Sequence, residues 1–161
     1  MAKAVFAGTF DPPTLGHLDI VRRAARIFGG LCVLVGDNSV KKGVFSIDER
    51  LSLLHTLCAG IEGVTIDRWD GLIAEYARRE GYDILVRGVR DMRDIEYERV
   101  MASMNARLEK GLETVFIFTD PRYADISSSA VRELAYRGRM PDGIVSEEVC
   151  EALEAHFGPL S

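Results

Sequence analysis

Five short apolar runs punctuate the chain, at residues 4–7, 31–35, 64–66, 84–86 and 115–118. Their length and β-branched content suit strands buried on both faces, as in a parallel sheet. Between them the apolar spacing changes to three and four. Residues 17–28 put Leu18, Val21, Ala24, Ala25 and Phe28 on one helical face. Ser46 followed by Glu49 reads as a capping box, and Leu51, Leu54, Leu57 and Cys58 continue the buried side of the helix it opens. A third helix is predicted over 72–79. A longer one, over 94–110, groups Tyr97, Val100, Met101, Met104 and Leu108 and ends at Gly111 as a left-handed cap. Two more follow, over 128–136 and 146–156.

Alternating strands and helices predict an α/β fold, a doubly wound parallel five-stranded sheet with helices on both faces, because parallel strands need crossover connections. Right-handed crossovers would gather the C-terminal strand ends along one edge, where ligands bind in such folds. With 161 residues, no internal repeat and no long linker, a single domain spanning 1–161 is expected. The polar stretch 137–143 reads as a loop before a C-terminal helical segment from about residue 144.

Composition narrows the function classes. At 47% hydrophobic and 28% charged residues the chain reads as globular, and a formal net charge of -5 argues against broad binding to nucleic acid. Cys32, Cys58 and Cys150 are odd in number and widely spaced, which suggests neither a disulfide framework nor a zinc site. His55 and His156 have no metal-ligand spacing, and Met101 and Met104 read as core or subunit-contact residues. No stretch approaches the roughly 20 apolar residues of a membrane span, and the N-terminus lacks a secretory pattern, so a cytoplasmic protein without membrane association is expected.

The chemistry collects at predicted strand ends. The first strand runs into Gly8-Thr9-Phe10-Asp11-Pro12-Pro13-Thr14-Leu15-Gly16-His17, which opens directly into a helix. Free backbone N–H groups and the positive end of the helix dipole favour an anion there, and His17 can donate to a phosphate oxygen. The same run also reads as a capped helix with a solvent-facing histidine. After the second strand, Lys41 and Lys42 read as a solvated turn or as counter-charges. Arg87, placed at the tip of the fourth strand, suits phosphate oxygens, or else joins a surface network with Asp91, Arg93 and Asp94. Ser127, Ser128 and Ser129 open a helix, and three in a row exceed what one cap needs.

The complete first run, with Thr14-Leu15-Gly16-His17 matching the T/H-x-G-H motif, resembles the nucleotidylyltransferase superfamily. Gly8-Thr9-Phe10-Asp11-Pro12 narrows the resemblance to the pantetheine-phosphate adenylyltransferases of coenzyme A synthesis. The segment from Arg87-Gly88-Val89-Arg90-Asp91 to Glu96-Tyr97-Glu98 is similar to that family's second signature, and Ile126-Ser127-Ser128-Ser129-Ala130-Val131-Arg132-Glu133 to its third. Two positions depart from it. Val40 stands where members often carry proline, and Ala7 replaces the proline that often precedes the first glycine.

The resemblance implies a Rossmann-like fold and in-line adenylyl transfer from ATP to 4'-phosphopantetheine, giving dephospho-coenzyme A and pyrophosphate without a covalent enzyme intermediate. It further implies that Thr9, His17, Lys41 and Arg90 are catalytic. ATP would meet Thr9, Phe10, His17, Gly88, Val89, Arg90, Glu98 and the stretch Tyr123, Ala124, Asp125, Ile126, Ser127, Ser128 and Ser129. The acceptor would meet Thr9, Lys41, Arg87 and Ile73, although a hydrophobic helix start explains Ile73 equally well. Mg²⁺ is expected with the nucleotide, no protein metal ligands are assigned, and family members form hexamers and invite a test of feedback inhibition by coenzyme A. Another superfamily activity, such as nicotinamide-mononucleotide adenylyltransferase or cytidylyltransferase, is the nearest alternative, and a non-catalytic nucleotide-binding module a more distant one. No GxGxxG follows the first strand and GxxxxGK[ST] is missing, which argues against a dehydrogenase or a P-loop enzyme.

Overall fold

The computed structural model describes residues 2–36 and 43–161. Five strands form one sheet: β1 (Ala4–Gly8), β2 (Leu31–Gly36), β3 (Val64–Trp69), β4 (Ile84–Val89) and β5 (Glu113–Phe118). All neighbours pair in parallel, in the order β3-β2-β1-β4-β5. Position in the sheet explains the sequence of each strand. Central β1 and β2 are covered on both faces and are buried almost without a break, whereas edge strand β3 alternates and carries Asp67 and Arg68. Strands β3, β4 and β5 extend beyond their apolar runs, because backbone pairing continues through polar residues. Arg87 therefore lies inside β4, opposite Phe116, two residues before the strand ends, and not at its tip.

Six helices follow in chain order: α1 (Leu15–Phe28), α2 (Ile47–Leu57), α3 (Ile73–Glu80), α4 (Met92–Leu108), α5 (Ser128–Tyr136) and α6 (Glu147–Phe157). On one face of the sheet Ile20, Val21, Ala24 and Ala25 of α1 and Leu54 of α2 pack on Phe6, Val33, Val86 and Ile117. On the other, Ala74, Tyr76 and Ala77 of α3 pack on Val5, Cys32, Leu34 and Leu85. A third cluster joins Val131 and Ala135 of α5 to Val149 and Leu153 of α6 and to Phe45 before α2.

Helix α4 departs from the sequence reading at its cap and decides between the two readings of its apolar face. Its cap is Glu109, in extended conformation, and Gly111 adopts its positive φ of 101° in the turn beyond. Its buried residues are Glu98 and Asn105, while Tyr97, Val100, Met101, Met104 and Leu108 are 40% to 65% exposed. The apolar side of the longest helix thus faces away from this chain's own core, which excludes the core reading of Met101 and Met104.

The strand order reverses between β1 and β4, since β1 leads outward to β2 and β3 on one side and β4 leads to β5 on the other. A crevice opens outside the carboxyl ends of the strands at such a switch point. The turn after β1 and the end of β4 both face that crevice.

Candidate active site

The turn after β1 is shaped by an aromatic fold-back. Phe10 takes a φ of 50° and buries its ring edge-on against Phe6 and His17, with centroids 5.4 and 5.0 Å away. A Cβ on Gly8 would lie 3.0 Å from the Phe10 ring, so glycine is what leaves the ring room beneath the strand end. Phe10 is thereby almost fully buried while still bordering the first cavity. Thr14 caps α1 with its hydroxyl accepting from the His17 N–H at 3.3 Å, and the Thr14 N–H donates to His17 Nδ1 at 3.0 Å. That hydrogen bond assigns the neutral tautomer: Nδ1 accepts, so Nε2 carries the proton and gives the ring one donor at the crevice wall. Burial first, then the charges of Arg90 and Arg87, push the His17 pKa down to about 4. The ring is a neutral donor at physiological pH.

Two cavities meet here. The first brings Thr9 and His17 of the first motif together with Gly88 and Arg90 of the second and Ser127 and Ser128 of the third. The second, of about 730 Å³, runs from Gly36 past Trp69 and Ile73 to Tyr97 and Asn105 of α4. Their shared wall is Ala7, Gly8, Thr9, Arg87 and Glu98. Thr114 Oγ1, a buried hydroxyl without a hydrogen-bond partner among the described residues, belongs to a residue lining the second cavity.

Arg87 and Glu98 form a fork-to-fork pair at that wall. Nε and Nη2 donate to the two carboxylate oxygens at 2.8 and 2.5 Å, and Nη1 donates to the Ala7 carbonyl at 2.7 Å. Three of the roughly five guanidinium N–H groups are thus engaged, which leaves donors for an anion. Arg90 is held by Asp94 at 3.0 Å. A Cβ on Gly88 would stand 3.1 Å from Ile20 Cγ1, so its bareness serves the close approach of α1 to β4.

In the third motif each serine has a separate duty. Ser127 caps α5 through Ala130 N–H, Ser128 Oγ donates to the Pro12 carbonyl at 2.8 Å, and Ser129 Oγ accepts from Arg132. Ile126 borders the first cavity as well. Tyr123 packs beside Gly16, under an Arg122 guanidinium 5.4 Å from its ring. Val89 is turned into the core, and Asp125 is exposed. Val89, Tyr123, Ala124, Asp125 and Ser129 do not line either cavity in this chain. Lys41 lies outside the described residues.

Sequence reasoning gave no role to Asp11, Arg50 and Arg132, which tie the site together. The buried Asp11 carboxylate accepts from the Val44 and Phe45 N–H groups at 2.9 Å each. The buried Arg50 guanidinium donates to the Thr9 carbonyl at 2.9 Å and the Gly36 carbonyl at 3.1 Å. Arg132 donates to the Asp11 carbonyl. Asp11 sits inside the first motif and could have been questioned as a carboxylate in an apolar turn. Arg50, in the first turn of an amphipathic helix, carries no sequence signal of burial.

Comparison with known proteins agrees with this geometry. Residues 5–134 match the cytidylyltransferase-like family. The phosphopantetheine adenylyltransferase of Symbiobacterium thermophilum is 43% identical over 98% of this chain and 97% of its own length, and that of Moorella thermoacetica 44% identical over 98% and 99%. Among solved structures, a proposed nicotinate-nucleotide adenylyltransferase of Vibrio parahaemolyticus superposes with a TM-score of 0.69, covering 98% of this chain and 94% of that one at 17% identity, a likeness of fold. With a switch-point crevice built from all three signature segments, and relatives of this identity along nearly the whole chain, the protein belongs to the cytidylyltransferase-like family and, within it, to the phosphopantetheine adenylyltransferases.

Proposed function

We propose that the chain transfers the adenylyl group of ATP to 4'-phosphopantetheine, releasing dephospho-coenzyme A and pyrophosphate. One observation carries the reading: two cavities of different character share a wall at Thr9 and Arg87. The first, walled by His17, Arg90 and helix N-termini, suits a triphosphate; the second, longer and bordered by Trp69, Ile73 and Met101, suits an extended, largely apolar arm. An acceptor phosphate at the shared wall would stand next to an α-phosphate held by Thr9 and the His17 Nε2–H, with Arg87 and Lys41 as its counter-charges. Arg90 and Ser128, with Ser129, then steady the leaving pyrophosphate, and by family resemblance the stretch from Tyr123 to Ser129 belongs to the nucleotide side. Catalysis rests on alignment and on donors aimed at developing charge, and no protein nucleophile is needed.

The donor set fits a magnesium ion carried by the nucleotide and not a resident metal. No cluster of three metal-ligating side chains exists among the described residues, and the nearby carboxylates of Asp94 and Glu98 are committed to Arg90 and Arg87. Such an ion would be held by phosphate oxygens and water, and would neutralise charge on the triphosphate. The exposed apolar side of α4 supports an assembly of several copies, a hexamer by family resemblance, and coenzyme A as an inhibitor at the acceptor cavity is a natural corollary. No helix among the described residues is long and apolar enough to cross a membrane.

The test is direct. ATP and 4'-phosphopantetheine should yield dephospho-coenzyme A and an equimolar amount of pyrophosphate. Faster turnover of nicotinamide mononucleotide, or of CTP with a phosphorylated acceptor, would transfer the assignment to another branch of the superfamily. Tight ATP binding with no pyrophosphate from any acceptor would leave a nucleotide-binding module.

A further inference from the structure

Two buried charges beneath the site serve no ligand directly. Arg50 is 7% exposed and makes no ion pair among the described residues; its guanidinium is satisfied by the Thr9 and Gly36 carbonyls and, at 3.4 Å, that of Ser46. Asp11 is 5% exposed, and its two oxygens each take one of the consecutive N–H groups of Val44 and Phe45. The Arg132 guanidinium stands 4.0 Å from Asp11 Oδ2, whereas Arg50 faces neutral dipoles alone, and burying charge in either way is costly. Stability alone would be served as well by an apolar pair, so the location of these charges calls for another account.

The groups they grip supply it. Thr9 follows β1, Gly36 ends β2, and both border the second cavity. A single nitrogen, Nη1 of Arg50, bridges the two carbonyls, which fixes the distance between those strand ends. From the other side, Asp11 draws the chain before α2 against the first-motif turn. It does so closely enough that a Cβ on Gly43 would lie 2.6 Å from Asp11 Oδ2. Arg132 extends the network, donating to the Asp11 carbonyl and to Ser129. The turn at 9–12 is therefore fastened to the end of β2 and the start of α2 by Arg50 and Asp11, and to α5 by Arg132, three charges lying outside both cavities.

We propose that Asp11 and Arg50 are positioning residues for the transfer, setting the separation of Thr9 from the mouth of the acceptor cavity and hence the alignment of the attacking phosphate with the nucleotide. The inference rests on the adenylyl-transfer reading. Displacements of about 1 Å in such an alignment can cost up to about 10²-fold in rate. Arg50→Lys keeps the charge but loses the planar guanidinium, whose Nε on the Ser46 carbonyl orients the Nη1 that bridges the two strand-end carbonyls, and Asp11→Asn keeps the shape but loses one acceptor.

The experiment is a double-mutant cycle on the whole protein, pairing Arg50→Lys with Thr9→Ala, with ATP affinity measured by calorimetry in parallel. Arg50→Lys should lower kcat/KM for 4'-phosphopantetheine by roughly 10-fold or more while ATP affinity stays within about 3-fold, and in the Thr9→Ala background its effect should shrink to about 2-fold or less. Additive effects of the two substitutions, or ATP affinity falling as far as kcat/KM, would show a merely structural role and overturn the proposal. Should Arg50→Lys not fold, Asp11→Asn is carried through the same cycle and judged by the same two outcomes. The wild-type protein separates the two levels of inference. If it makes no dephospho-coenzyme A the functional reading itself fails, whereas an active wild type with additive variants refutes the positioning role alone.

Discussion

His17 shows how one residue's environment decides its chemistry. Its Nδ1 is taken by the Thr14 N–H, and burial with two neighbouring arginines holds the ring neutral. His17→Ala should lower kcat by on the order of 10²-fold, as loss of a donor to developing charge typically costs about 3 kcal/mol, and steady-state kinetics on the folded variant checks this. A histidine free of these influences titrates near 6.5, and this one near 4. Between those values the unfolded chain binds the extra proton and the native state does not, so His17 makes stability fall as the pH drops from about 6.5 towards 4. Its ring proton resonances in an NMR titration of the free protein should show no midpoint above about pH 5, and the kcat/KM profile should carry no inflection from His17 near 6.5. The motif made His17 and Thr14 legible in the sequence. The tautomer, the tilt of Phe10 beneath Gly8 and the burial of Arg50 were not, because each depends on what distant segments bring alongside.

At the level of the element, the capping box at Ser46 and Glu49 and the amphipathic face of α1 could be read from spacing, since both are local bookkeeping of donors and apolar surface. Strand ends were less legible, because ladder pairing carries β4 through Arg87 and Gly88 where hydropathy has already changed. The entry to α2 offers a sharp test of local packing. Gly43→Ala would press a methyl group onto an Asp11 carboxylate that two backbone amides hold in place. Overpacking of this kind typically costs about 1–3 kcal/mol, and a lowered denaturation midpoint with an unchanged m-value is expected in urea. Helix α4 was misread only at its cap, which is Glu109 and not Gly111. Its apolar spacing was identified and left two readings, core or subunit contact, between which spacing cannot choose; the structure turns Glu98 towards Arg87 and Asn105 towards the cavity, and so leaves the apolar face outward.

For the molecule as a whole, alternation of strands and helices was enough to foresee a five-stranded parallel sheet, and the switch point between β1 and β4 explains why three signature segments far apart in sequence converge. The single chain nonetheless leaves Val100, Met104 and Leu108 about half exposed on one helix. Contiguous apolar surface of this kind marks contact with another molecule. Light scattering should find an assembly of several copies, and Val100→Asp with Met104→Asp should reduce its mass towards that of the 17.9 kDa chain.

That outward-facing stripe also ties the folding equilibrium to abundance. If association is what covers α4, each protomer borrows part of its stability from its neighbours, and the free energy of the fold contains a term in protein concentration. Dilution should then lower the thermal midpoint of the native protein, while the doubly substituted protein should melt at the same temperature whether dilute or concentrated. A freshly synthesised chain, meeting few copies of itself, would pass through its least protected state before any substrate is bound.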